Sequence, residues 1–99
     1  MFVSGQVAIS PSTGELVLDD IKTETKQVME NIKAILVESG IDFSNIVKTS
    51  IFLTDMQNFA QVNEVYGTYF TGNFPARETV EVSRLPKDVN VEISVVAID

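Results

Sequence analysis

Ninety-nine residues, 44% apolar and 21% charged, suit one compact domain and exclude both a disordered chain and a pair of catalytic domains. Fourteen acidic against seven basic side chains leave a net charge of −7. That charge repels phosphate and opposes a broad nucleic-acid or anionic-membrane surface. Cysteine and histidine are both absent, which excludes disulfides, thiolate and histidine metal sites, a cysteine nucleophile and a Ser-His-Asp triad. Any chemistry must come from carboxylates, two arginines, five lysines, hydroxyls, amides and backbone. No apolar run approaches the roughly 20 residues that span a bilayer. The opening Met1-Phe2-Val3-Ser4-Gly5-Gln6 lacks the basic and apolar regions of a secretory signal. The expectation is a cytoplasmic, soluble protein.

The segment Phe2 to Ile9 alternates loosely and runs into Ser10-Pro11-Ser12-Thr13-Gly14, a cluster of turn formers, and so reads as a strand and a turn. Asp19 and Asp20 then offer caps for a helix reaching Ser39. Its apolar stripe is Ile21, Thr25, Val28, Ile32 and Ile35, widened by Met29 and Leu36, and Gly40 is its terminator. Ile46 to Leu53 is a β-branched strand with Val47, Thr49, Ile51 and Leu53 on one face. Asp55 caps a second helix with Phe59, Val62, Tyr66 and Phe70 as its inner stripe, and Asn63 lies on that stripe too. Gly72-Asn73-Phe74-Pro75 ends it. Strands follow at Thr79 to Leu85 and Asn90 to Ile98, joined by Pro86-Lys87-Asp88.

In the last strand Val91, Ile93, Val95 and Ala97 share one face, and Glu92, Ser94, Val96 and Ile98 the other. Both faces are substantially apolar, yet two helices can cover only one. The second face is expected to meet another subunit. The order strand, helix, strand, helix, strand, strand predicts a two-layer α+β domain with right-handed crossovers.

Two residues stand out chemically. Arg77 follows the rigid Phe74-Pro75-Ala76 corner, where a guanidinium can present a planar fork to a carboxylate; the plainer alternative is a surface ion pair. Glu92 sits in mid-strand on the face expected to meet a neighbour, as a candidate general base; the alternative is a solvated or lysine-paired carboxylate. Around them, Ser4-Gly5 offers close backbone approach near a strand centre. The Asn63 amide needs a partner, from nearby backbone or from a pocket. Arg84 and Glu81 read as solvated edge charges.

The run Pro75-Ala76-Arg77, Val80-Glu81-Val82, Arg84-Leu85-Pro86-Lys87-Asp88-Val89 and Val91-Glu92-Ile93 closely resembles the C-terminal signature of the RidA (YjgF/UK114) family. Ser4-Gly5-Gln6, Pro11-Ser12-Thr13-Gly14, Val47-Lys48-Thr49 and Phe59-Ala60-Gln61-Val62-Asn63 with Tyr66 extend the resemblance over the whole chain as a single domain. It implies a chorismate-mutase-like α+β fold, with one mixed sheet and two helices on one face. It also implies a homotrimer with active sites between subunits, and hydrolysis of small enamino and 2-imino acids to 2-keto acids and ammonia without metal or cofactor. Arg77 would hold the substrate carboxylate, Glu92 would activate water, and Ser4, Gly5, Asn63 and Thr79 would complete the pocket. A non-catalytic carboxylate-binding module, or a ribonuclease or translation-inhibitor-like member, is the alternative. Many members carry Ser-Cys where this chain has Glu78-Thr79; Thr79 keeps a hydroxyl of similar size, and alternation turns Glu78 away from Arg77. The family's preceding strand, with its Gly-Pro-Tyr segment and pocket tyrosine, is not among these residues, so an exposed sheet edge is expected.

Overall fold

Asp20 sets the first helix. In the computed structural model, which describes residues 1–99, its backbone is extended and its carboxylate accepts the Thr23 amide at 2.8 Å. One of the free donors at the start of α1, Ile21–Glu38, is thereby satisfied. The expected stripe is the buried one: Thr25, Val28, Met29, Ile32 and Leu36 are sealed, with Ile21 and Ile35 half-buried beside them. Thr25 tolerates burial because its hydroxyl donates to the Ile21 carbonyl at 2.7 Å. The helix stops where Gly40 takes φ +77°, and the Ile41 amide turns back to the Leu36 carbonyl at 3.0 Å.

Strands β1 (Phe2–Gln6), β2 (Ile46–Leu53), β3 (Ala76–Glu81) and β4 (Val91–Ala97) form one mixed sheet in the order β1-β4-β2-β3. β4 runs antiparallel to both β1 and β2, whereas β3 runs parallel to β2 and is reached through α2, Phe59–Gly67. The α+β architecture expected from the sequence is the one observed.

Several details differ from expectation. Asp55 caps not α2 but the 3-10 turn Met56–Asn58 before it, accepting the Gln57 amide at 2.9 Å, and α2 ends at Gly67, short of Phe70. β1 ends at Gln6, not Ile9, because the chain beyond it leaves the sheet: the Asn31 amide on α1 donates to the carbonyls of Val7 and Ile9 at 3.1 and 2.9 Å. β3 starts at Ala76 and ends at Glu81, because its extent is set by parallel pairing with β2, from Lys48↔Ala76 to Leu53↔Glu81. Val47 is turned outward, 42% exposed, by a register break that sets Ile46 and Lys48 against consecutive residues of β4. The buried face of β2 is therefore Ile46, Thr49, Ile51 and Leu53.

Val91, Ile93, Val95 and Ala97 meet that face from β4, and α1 with Val62, Tyr66 and Phe70 closes the core above them. Glu24 lies inside this core, fully buried on the first turn of α1. Its carboxylate accepts from the Asn90 amide N–H at 2.8 Å, the Asn90 side-chain Nδ2 at 2.8 Å and the Val91 N–H at 3.2 Å. Three donors make burial of the carboxylate affordable and pin the start of β4 to α1. The opposite sheet face carries Phe2, Val80 and Val96 among Lys48, Ser50, Glu78, Glu92 and Ser94, and no helix covers it.

Candidate active site

The register puts Arg77 beside Thr49, and Thr49 beside Val95, all three on the helix-facing side of the sheet. Because β3 is an edge strand, the Arg77 side chain rises past the sheet margin toward α2. Its Nη1 donates to Asn63 Oδ1, and its guanidinium carbon lies 5.6 Å from the Phe59 ring centroid and 5.3 Å from that of Tyr66. Both distances are within cation–π range. No carboxylate lies within 4.0 Å of Arg77, while Arg84 pairs with Asp88 at 2.8 Å. The ion-pair alternative for Arg77 is thus not what the structure adopts. A cleft of about 360 Å³ opens here, lined by Asn63, Tyr66, Gly67, Phe74, Pro75 and Arg77.

The Tyr66 hydroxyl donates to the buried Thr49 Oγ1 at 3.0 Å. Burial raises its pKa above the ordinary 10.0, against the opposing pull of that hydrogen bond and of the Arg77 charge, so it stays a neutral donor. Thr79 follows Arg77 by two residues on the same face of β3, and its Oγ1 is shut from solvent with no hydrogen-bond partner. Such an atom is a candidate to receive a ligand.

Glu92 stands elsewhere. It is paired with Phe52 on the uncovered face, beneath a bulge of β1 between Val3 and Gln6. Gly5 takes φ +43° there, and its amide donates to Ser94 Oγ at 2.8 Å. A β-carbon on Gly5 would lie 3.5 Å from Glu92 Oε2, so the glycine leaves the carboxylate approachable. Ser4 is exposed beside it. The six expected site residues therefore form two groups in one chain: Arg77, Asn63 and Thr79 on the helix side, and Glu92, Ser4 and Gly5 on the open side. Within one chain Arg77 and Glu92 do not meet.

Glu78 points away from Arg77, as strand alternation requires. It accepts from Ser50 Oγ at 2.9 Å and pairs with Lys48 at 3.3 Å, contacts that hold its carboxyl below the ordinary 4.5. Glu81 is not simply solvated: it accepts the Met56 amide at 2.7 Å and steadies the turn before α2. Asn63, expected to assist the substrate, spends its carbonyl on Arg77. The sequence signal for Phe59 and Tyr66 was their place on the inner stripe of α2, which marked them as core and hid their contact with the guanidinium. A larger groove of about 590 Å³ between the starts of α1 and α2, including Asp20, Gln61 and Asn90, contains none of the expected residues. No helix is long and apolar enough to cross a membrane.

A mixed sheet backed by two helices, with an acid-free arginine at one edge and a glycine-flanked carboxylate on the other face, places these candidate residues on a chorismate-mutase-like fold. Comparison with known proteins gives the family. The sequence family described as endoribonuclease L-PSP matches residues 1–99. Protein DfrA of Myxococcus xanthus is 54% identical over 97 residues, covering 98% of this chain and 74% of that protein. The 2-iminobutanoate/2-iminopropanoate deaminase of Rattus norvegicus is 45% identical over 98 residues, covering 99% of this chain and 72% of that one. The crystal structure of the YjgF gene product of E. coli superposes with a TM-score of 0.92 at 43% identity, covering 98% of this chain and 78% of that one. The chain belongs to this YjgF/RidA family.

Proposed function

We propose that the protein hydrolyses reactive 2-imino acids and their enamine tautomers to 2-keto acids and ammonia. The observation that carries this reading is Arg77: an arginine free of any acid, held by Asn63 and two aromatic rings at the mouth of a cleft. Such a fork suits the carboxylate common to these substrates. The relationship to a protein named 2-iminobutanoate/2-iminopropanoate deaminase supports it.

In this reading Arg77 binds the substrate carboxylate, and Thr79 Oγ1 and Asn63 flank the imine. Glu92 of a neighbouring subunit, with Ser4 and Gly5 beside it, orients a water molecule and takes its proton as the oxygen bonds to the imine carbon. The imine nitrogen gains a proton, giving a tetrahedral carbinolamine. That intermediate collapses as its hydroxyl proton is passed, through the same carboxylate, to the nitrogen and the C–N bond breaks, leaving keto acid and ammonia. No step calls for an electron acceptor. The uncovered sheet face, with Phe2 69% exposed and Val80 41%, is the surface that would join a homotrimer.

The test generates 2-aminoacrylate with a serine dehydratase and follows 2-keto acid and ammonia release with this protein and with Arg77→Ala. Acceleration that disappears in the variant supports the reading. A folded, assembled protein that binds a 2-keto acid without acceleration is a binding module instead. Cleavage of RNA without imine turnover would favour the ribonuclease alternative.

A further inference from the structure

Arg77 is exposed on an edge strand, where a long side chain normally samples many rotamers. Three contacts restrain it here. Asn63 Oδ1 takes Nη1, while the Phe59 and Tyr66 rings stand 5.6 and 5.3 Å from the guanidinium carbon. The three partners occupy positions 59, 63 and 66, spaced by four and three, so one face of α2 presents them together. Tyr66 is 2% exposed and anchored at its far end by the bond to Thr49, a residue that is itself wholly buried. Its ring is therefore a fixed plate, not a mobile cover. Phe59 is 36% exposed and stands outside the buried core, and its ring lies against the Arg77 guanidinium.

We propose that Phe59 and Tyr66 are positioning residues whose rings hold the Arg77 guanidinium in the orientation that receives a substrate carboxylate. Neither ring needs to touch substrate; they act through Arg77. A fork already ordered loses less freedom when it binds, so the rings lower the dissociation constant for any ligand with the matching carboxylate. They leave the water-activating group unchanged. The inference rests on Arg77 being the carboxylate anchor.

The test uses the full chain with Phe59→Leu, Tyr66→Leu, and the aromatic replacements Phe59→Tyr and Tyr66→Phe, with Arg77→Ala as reference. Three quantities are read: the thermal midpoint, the dissociation constant for pyruvate, and the order of the Arg77 side chain from ¹⁵N relaxation of its Nε–H. Where imine turnover is measurable, KM and kcat are separated. Phe59→Leu is expected to keep the thermal midpoint, mobilise the Arg77 Nε–H and weaken pyruvate binding about tenfold. KM should rise in step while kcat changes less than about twofold. Phe59→Tyr should restore the order of Arg77 and the affinity. Tyr66→Leu should act in the same direction, and Tyr66→Phe should recover most of the affinity.

If Arg77→Ala abolishes pyruvate binding but Phe59→Leu alters neither binding nor Arg77 order, the positioning role is overturned and the anchor stands. If Arg77→Ala leaves binding intact, the anchor reading itself fails. An Arg77 Nε–H as mobile in the parent protein as in Phe59→Leu overturns the positioning role whatever the activity.

Discussion

Arg77 and Glu92 occupy opposite faces of one sheet. Arg77 is level with Thr49 of β2 on the helix side, and Glu92 is level with Phe52 of β2 on the uncovered side. No side-chain rotation brings them together, since the sheet stands between. If both serve one reaction, each site takes its arginine from one chain and its glutamate from another. Arg77→Ala and Glu92→Gln should then each be inactive alone. Mixed by unfolding and refolding at equal ratio, they should recover about a quarter of parental activity, because random cyclic assembly makes that share of sites with both original residues. Keto acid release from the refolded mixture is the measurement. A mixture as inactive as its parts would show that both residues act from one chain.

Glu24 should be among the costliest single positions. Glu24→Ala strips the acceptor from three donors at the start of β4 and leaves a cavity. A loss of about 3–5 kcal/mol is expected in urea unfolding. Glu24→Gln should lose only about 1 kcal/mol. Its carbonyl can keep the two backbone N–H groups, and a flipped Asn90 amide can accept from its NH₂.

The cap on α1 makes stability sensitive to acid. The Asp20 carboxyl lies below its ordinary 3.8, first because the Thr23 amide and then because the Thr23 hydroxyl bonds the ionised form. A folded-state pKa below the unfolded one gives stability that is present above the unfolded value and lost as pH falls through the folded value. The urea midpoint should therefore drop as pH falls from about 4 to about 2. Asp20→Asn, which still caps, should show a shallower drop. Asp42, lowered by its bonds to Ser44, gives a second contribution of the same sign.

Gly5→Ala separates fold from function. At φ +43° a side chain costs about 1–2 kcal/mol. The added carbon, 3.5 Å from Glu92 Oε2, makes ordinary contact without a clash. Stability should fall by about 1 kcal/mol, whereas activity should fall further, because the methyl occupies the approach to the carboxylate. Parallel denaturation and turnover measurements read the two effects apart.

The helices and central strands were legible because their signals are local: the stripe of α1, its cap at Asp20, and the β-branched run of β2. The strand ends were not, since a partner sets them. β3 is as long as its parallel register with β2, and β1 stops where Asn31 draws the chain away. Val47 fell on the wrong face because a bulge is a property of the pair, not of one strand. Of the site, Arg77 and Glu92 were legible as a corner arginine and a mid-strand acid. That they face apart needed the register. Glu24 was missed because a charged residue at the start of a helix reads as solvated; its partners lie 66 and 67 residues away.

The strand order also makes one segment the centre of the sheet's long-range pairing. β4 is the last strand in the chain, yet it lies between β1 and β2 and is the only sheet neighbour of β1. Without β4, neither antiparallel pairing of the sheet forms, and β2 keeps only its parallel neighbour. The grip of Glu24 on Asn90 and Val91 likewise depends on this segment. Both antiparallel pairings of the sheet, β1 with β4 and β2 with β4, therefore join segments far apart in the sequence. Such pairing over long sequence separations favours slow folding, and it makes β4 the segment whose loss would undo the whole molecule at once.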